Sequence, residues 1–252
     1  MDKVSIITPC YNASKFLQET YNSLQQQTYS HWEWIIVDDC STDSSVSLIK
    51  QLQSEDQRVI LVLNDENSGA AVTRNNSLNH ATGDYCAFLD ADDLWETDKL
   101  EKQLLFMKSK DSHFSYHDYW MIDASGKKLK KQNCPNEVDA DQILKYNPFA
   151  TSSIMIKRET IEKNQIRFKA HLRRRQDYIF WHDCLLATGR GHCLNEELSL
   201  YRVFGDDSLS ANKKEMAKIQ WRLLKEEFGL NIFMRIYSVS YTHLTLPTTP
   251  YV

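Results

Sequence analysis

Trp34-Ile35-Ile36-Val37-Asp38-Asp39-Cys40-Ser41-Thr42-Asp43 is the stretch on which the fold turns. Its unbroken apolar run, rich in β-branched residues, reads as a strand buried on both faces, because a strand with one wet face would alternate. Two aspartates close the run. Ser41, Thr42 and Asp43 then offer capping oxygens to a helix marked by Val46, Ile49 and Leu52. A doubly buried strand feeding straight into a helix is the repeating unit of a parallel sheet covered by helices.

Outward from this stretch the same unit recurs. Towards the N-terminus, Val4-Ser5-Ile6-Ile7-Thr8 stops at Pro9, and residues 14–27 carry a helical stripe of Phe16, Leu17, Tyr21 and Leu24. Towards the C-terminus, residues 59–63 read as a third strand and 70–81 as a third helix. Gly83-Asp84 then turns into Tyr85-Cys86-Ala87-Phe88-Leu89, a fourth strand ending at Asp90. The class expected is α/β, with a Rossmann-like, mostly parallel sheet flanked by helices. Ligands of such sheets sit beyond the carboxyl ends of the strands. Three polar clusters, residues 9–12, 38–43 and 90–93, all follow strands at that edge.

The second half is less regular. Residues 114–123 read as a strand, 152–156 as a short strand, 176–188 as a helix closed by Gly189, and 198–204 as a last strand. Residues 211–237 read as one long amphipathic helical stretch with six basic and three acidic side chains. From about residue 239 the composition changes: residues 240–252 hold no charged side chain and four threonines. We expect residues 239–252 to be a translated tail foreign to the domain and set them aside.

Composition narrows the function. Seven glycines and five prolines in 252 residues are too few for a disordered or loop-dominated chain. A net charge of −4 gives no basic face for nucleic acid, so none is expected as a partner. No apolar run approaches the roughly 18 residues of a membrane span. The apolar run near Met1 is too short for a signal peptide. A cytoplasmic location is therefore expected, with the six cysteines as thiols.

The chemistry concentrates in Leu89-Asp90-Ala91-Asp92-Asp93. Three carboxylates within four residues repel one another unless a cation or a donor stands between them. Carboxylate oxygens suit Mg²⁺ or Mn²⁺, and such an ion can bridge a diphosphate. An acidic turn capping a helix near Thr97 is an equally good reading of these residues alone. Asp38 and Asp39 form a second pair, able to accept hydrogen bonds from a nucleobase or a ribose. Arg74, inside a helical segment, has the fork that grips phosphate, although its spacing alone reads as a surface arginine.

Ser5-Ile6-Ile7-Thr8-Pro9-Cys10-Tyr11-Asn12, Ile36-Val37-Asp38-Asp39-Cys40-Ser41-Thr42-Asp43 and Leu89-Asp90-Ala91-Asp92-Asp93 resemble, in order and separation, the motifs of family 2 glycosyltransferases. The resemblance spans about residues 3–210. It implies a GT-A fold over residues 1–210, a nucleotide-sugar half (1–110) joined to an acceptor half (111–210), with a C-terminal amphipathic helix at 211–238. It implies a sugar transfer from a nucleotide-sugar donor, a UDP-sugar, to a hydroxyl of a saccharide or lipid-linked acceptor in cell-envelope polysaccharide synthesis.

Carried over residue by residue, Pro9, Tyr11 and Asp39 would line the uracil pocket and Arg74 would lie near the diphosphate. Asp90 and Asp92 would form the D-x-D motif, with Asp92 and Asp93 as ligands of Mn²⁺ or Mg²⁺. Arg173-Arg174-Arg175-Gln176-Asp177 resembles the segment that carries the family's catalytic base, which would be Asp177. Its reading from the residues alone is a carboxylate paired with its own helix N-terminus. The three arginines read as a solvated basic face, one of them available to an anionic acceptor or to the donor phosphates. Tyr201-Arg202-Val203-Phe204-Gly205 resembles a late family segment, but Phe204 stands where many members have histidine.

Other readings find less support. Residues 9–12 hold no glycine, so no dinucleotide fingerprint follows the first strand. His182, Cys184, His192 and Cys193 match no common zinc spacing. A nucleotidyltransferase lacks its glycine-rich basic loop here, and a silent nucleotide-sugar-binding scaffold has no need of Asp90, Asp92 and Asp177 together. Gln220-Trp221-Arg222 is not the Gln-x-x-Arg-Trp of processive synthases, so transfer of one sugar is expected. The basic, amphipathic stretch 211–237 either packs on its own domain or touches an anionic membrane surface.

Overall fold

The structure, a computed structural model, describes residues 1–204 and 213–240. Its first part alternates as β1 (Val4–Cys10), α1 (Leu17–Gln25), β2 (Trp32–Asp38), α2 (Ser45–Glu55), β3 (Val59–Leu63), α3 (Ala70–Asn79) and β4 (Tyr85–Phe88). There follow β5 (Leu94–Trp95), α4 (Lys99–Ser109), β6 (Phe114–Ile122), β7 (Lys128–Gln132), β8 (Glu137–Val138) and α5 (Ala140–Ile143). A 3₁₀ turn, Thr151–Ser153, leads into β9 (Met155–Lys157), α6 (Arg158–Lys163), α7 (Gln176–Thr188), β10 (Gly191–Arg202), α8 (Lys213–Glu226) and α9 (Ile232–Ser240).

The strands form one mixed sheet in the order β3-β2-β1-β4-β9-β6-β10-β5, with β7 beside β6 and β8 beside β10. β3, β2, β1 and β4 are mutually parallel. β9 runs antiparallel to both β4 and β6 and so welds the regular half to the rest. Burial explains the unbroken apolar runs: Ile7, Ile35, Val37 and Phe88 feed the core on one face, and Ile6, Trp34, Ile36 and Ala87 the core on the other. Both faces are dry, as a covered parallel sheet requires.

Three segments differ from the sequence expectation. β10 begins at Gly191, not near Leu198, because its pairing with β6 slips between Leu194 and Glu197 and again between Glu197 and Ser199. Such bulges break the period-two pattern by which a strand is recognised. The segment expected to be a strand from 152 opens as the 3₁₀ turn. The long helical stretch is two helices: Gly229 adopts φ +61° and its N–H bonds the carbonyl of Lys225, ending α8.

The two C-terminal helices behave differently. α8 buries Met216, Leu223 and Leu224, whereas α9 leaves Phe233 79% exposed, together with Ile232, Ile236 and Tyr237. Val239 and Ser240, the first residues of the stretch expected to be a foreign tail, complete α9, and residues 241–252 lie outside the described residues. Among the described residues no helix is long and apolar enough to cross a membrane. All six cysteines are free, five of them buried.

Gly83, just before β4, lies hard against the backbone at the start of β1. A Cβ there would stand 2.6 Å from the Lys3 carbonyl oxygen and 2.8 Å from the Ser5 amide nitrogen. Gly83→Ala should therefore force β1 and β4 apart and lower stability by about 1–3 kcal/mol, read as a lower urea midpoint.

Candidate active site

The loops after β1 and β2 are laced together. The Asn12 side-chain oxygen accepts from the Thr42 N–H at 2.8 Å, and the Asn12 N–H donates to Ser41 Oγ at 2.8 Å. Asn12 itself sits at φ +51°, a left-handed conformation that asparagine tolerates. Asp38 turns back on its own strand end and accepts from the Ser41 N–H and hydroxyl.

Asp39, expected to line the uracil pocket, is tied to the chain that follows it. Its carboxylate is buried and accepts from Asn64 Nδ2 at 2.8 Å, from the Ser68 N–H at 2.9 Å and from the Gly69 N–H at 2.8 Å. It holds the start of α3 and does not line the cavity described below. Satisfying three chain donors is what a buried carboxylate demands.

The loop after β4 distributes its three carboxylates in three directions. Asp90 accepts from the Arg74 guanidinium at 2.7 Å, both side chains being largely buried. Asp93 turns inward and is 1% exposed. It accepts from Ser152 Oγ at 2.5 Å and from the Arg202 N–H at 2.8 Å. Burial, then Asp92 and Asp90, pushes its carboxyl well above the ordinary range. Asp93, expected as a metal ligand, thus accepts one chain hydrogen bond on each oxygen and is not among the residues lining the cavity described below. Asp92, half-buried, lines that cavity. Burial and then the charge of Asp90 push its carboxyl up to about 6, against Arg202 and Arg74.

Arg202 fastens this loop from above. Its Nε donates to the Asp92 carbonyl at 2.8 Å, Nη1 to the Ala124 carbonyl at 3.1 Å, and Nη2 to the Glu19 carboxylate at 2.8 Å. Its guanidinium carbon lies 4.4 Å from the centre of the Phe16 ring, and Phe16 in turn packs on Phe204 at 5.4 Å. The position where many family members have histidine is here an aromatic wall.

Between these loops and the start of α7 lies a cavity of about 370 Å³. Pro9, Tyr11, Arg74, Asp90, Asp92 and Asp177, predicted from widely separated segments, all line it. Tyr11 is 55% exposed there, a free ring face beside the end of β1. Asp177, on the first turn of α7, is buried, and burial raises its carboxyl above the ordinary range. The Arg74 guanidinium and then the Tyr178 backbone N–H oppose that rise. Arg175, at φ +58°, makes the bend that aims the start of α7 at the cavity.

The sequence model described as Glycosyl transferase family 2 matches residues 5–177, which run from β1 to this aspartate. The chain belongs to that family. It is 41% identical, over 88% of its length and 87% of the relative's, to TuaG of Bacillus subtilis, a glycosyltransferase assigned by name to teichuronic acid biosynthesis. It is 32% identical, over 93% and 89%, to WfgD of Escherichia coli, named as a UDP-Glc:α-D-GlcNAc-diphosphoundecaprenol β-1,3-glucosyltransferase.

Solved structures show the same GT-A fold. S. aureus TarS 1–349 with UDP-GlcNAc superposes with a TM-score of 0.74 at 21% identity, covering 94% of this chain and 70% of that one. In another TarS crystal structure the match covers 40% of the TarS chain. A Pyrobaculum calidifontis mannosyltransferase with GDP-Man and Mn²⁺ gives a TM-score of 0.70 at 18% identity, covering 95% and 70%.

Several cavity residues of this glycosyltransferase were not among those expected at the site. Gln176, Phe16 and Met216 line it because α7, α1 and α8 converge there, a non-local meeting that no motif spacing encodes. Among the described residues no three carboxylate, imidazole or thiol groups converge as a ready-made metal site.

Ser152 is the hinge of the carboxylate arrangement, since its hydroxyl donates to Asp93 and accepts from the Asp90 N–H at 3.1 Å. Ser152→Ala keeps the volume nearly unchanged but strands a buried carboxylate oxygen. Stability should fall by about 1–3 kcal/mol, measured by urea denaturation.

Proposed function

We propose that this family 2 glycosyltransferase moves one sugar from a UDP-sugar to a hydroxyl of a saccharide or lipid-linked acceptor, with inversion, in cell-envelope polysaccharide synthesis. The observation that carries the reading is that Asp177 and Asp92 face one cavity, with Arg74 between the two loops that bear them. The donor and acceptor classes follow the printed names of the relatives and of the UDP-GlcNAc complex. The pathway class follows the name of TuaG.

In the proposed step the acceptor hydroxyl attacks the anomeric carbon from the face opposite the diphosphate. Its proton passes to the Asp177 carboxylate as the new C–O bond forms. The bond from the anomeric carbon to the β-phosphate oxygen breaks, and its electron pair leaves with UDP. A sugar hydroxyl is a weak nucleophile at neutral pH, so a positioned base contributes about 10²–10⁴-fold. Burial that raises the carboxyl makes Asp177 the stronger base. Arg74 supplies a fixed positive charge beside the departing diphosphate. Tyr11 offers its exposed ring to the base of the nucleotide.

The donor set suits Mg²⁺ or Mn²⁺, which are commonly held by one or two carboxylates with substrate phosphates completing the shell. Asp92 is the carboxylate left for this role, with Asp90 shared with Arg74. Such a cation, when bound, would neutralise charge developing on the leaving diphosphate. The exposed apolar residues of α9, following a basic α8, would provide peripheral contact with the cytoplasmic membrane face where a lipid-linked acceptor resides.

Asp177→Asn should retain UDP-sugar binding and lower transfer by at least about 10²-fold, measured as UDP release in the presence of acceptor. Because the base works only when deprotonated and its carboxyl is raised, the wild-type rate should climb with pH through a midpoint above the usual carboxylate range. Near-normal turnover by Asp177→Asn would dismiss the assignment. Asp92→Ala should weaken metal-dependent UDP binding, seen by calorimetry with and without Mn²⁺, while metal-free binding changes little.

A further inference from the structure

Lys99 is a costly residue to bury. It is wholly inaccessible, and it opens α4, where the helix N-terminus repels a cation. Among the described residues its Nζ has neither a hydrogen-bond partner nor a carboxylate. A position shaped by stability alone would hold an apolar side chain. What the ammonium does meet is the face of Trp95, with Nζ 3.6 Å from the ring centre. Burial pulls Lys99 well below the ordinary lysine range, and the indole face opposes that pull because it favours the charged form. Burial and then the Lys99 charge push the His117 imidazole of β6 down to about 3, so it stays neutral and adds no second charge.

The edge of the same indole leads to the site. Trp95 Nε1 donates to the Ser152 carbonyl at 2.7 Å. Gln103, one turn along α4 from Lys99, donates its Nε2 to the Ser153 carbonyl at 3.0 Å. The 3₁₀ turn is thus gripped at two successive carbonyls. Its Ser152 hydroxyl is the group that donates to Asp93 at 2.5 Å and accepts from the Asp90 N–H at 3.1 Å.

We propose that Lys99 is a positioning residue for the carboxylate loop, acting through Trp95 and Ser152. The cation fixes the tilt of the indole, the indole N–H fixes the Ser152 carbonyl, and the Ser152 hydroxyl fixes Asp90 and Asp93. A cation over the ring also polarises it, which strengthens Nε1–H as a donor. This role rests on the glycosyl-transfer reading above. It adds to that reading a residue outside the cavity lining that orders the loop bearing Asp90 and Asp92.

Lys99→Met keeps the length of the side chain and removes its charge. An unpaired buried cation is lost, so the urea midpoint should stay level or rise. The loop should loosen all the same. In the unliganded protein, hydrogen exchange at the Asp90 amide should quicken about tenfold or more, the scale of a desolvated cation–π contact. The amides of Ile35 and Ile36 in β2 should stay protected, whereas loss of packing alone would move both sets together. Trp95→Phe keeps a ring for the ammonium and deletes the N–H, so it should show the same faster exchange at Asp90. Adding Lys99→Met to it should quicken that exchange no further. Calorimetric affinity for UDP with Mn²⁺ should fall about tenfold in each variant.

Unchanged Asp90 exchange in Lys99→Met, or additive effects in the double variant, would overturn the inference. A Lys99→Met protein that fails to fold, or unfolds at lower urea, would also overturn it, since the lysine would then serve stability. Trp95→Phe with unchanged Asp90 exchange would break the link to Ser152 and overturn it independently. Failure of the wild-type protein to bind UDP would instead count against the glycosyl-transfer reading, because the exchange measurements involve no ligand.

Discussion

Three carboxylates in four residues at the end of a buried strand cannot stay together without compensation, and the molecule is arranged around that repulsion. Each charge is sent elsewhere. Asp90 goes to Arg74 of α3, Asp93 goes inward to Ser152 and the Arg202 N–H, and Asp92 is left facing the cavity. The three partners come from different parts of the chain, so the loop can be satisfied only when α3, the 3₁₀ turn and β10 are all in place. The same separation leaves one carboxylate uncommitted, which is what a cation shared with a substrate phosphate requires.

The regular half was legible because burial on both faces writes itself into composition. Continuous runs such as Trp34-Ile35-Ile36-Val37 have no other economical explanation, and their ends mark the ligand edge of the sheet. The second half was less legible for a physical reason. β9 is three residues long and joins by antiparallel pairing to β4 and β6, while β10 slips register twice. Short or bulged strands carry little periodic signal, so their partners are set by tertiary context.

The site shows the same division. Which residues would gather could be read from their positions after strands and from the family resemblance, and six of them do line one cavity. Which atoms remain available could not. Asp39 and Asp93 sit in motifs as acidic as those of their neighbours, yet both are bonded by chain donors, the Ser68 and Gly69 amides in one case and Ser152 with the Arg202 amide in the other. A sequence gives the charge of a side chain but not its hydrogen-bond ledger. The contribution of α8 was hidden for another reason: a helix with an ordinary amphipathic pattern reveals its buried face without revealing what it is buried against.

Arg202 spans from the Asp92 carbonyl to Glu19, a partner 183 positions earlier in the chain. The carboxylate loop is translated long before the residue that clamps it. A nascent chain in which residues 1–110 have emerged can pair β1, β2, β3 and β4 but still lacks the donors that turn Asp93 inward and fix the backbone of Asp92. Its three aspartates then remain mutually repelling and unaimed. Assembly of the catalytic edge is thus coupled to synthesis of the far end of the domain, and a prematurely terminated chain is denied an ordered carboxylate loop even if its first sheet has formed.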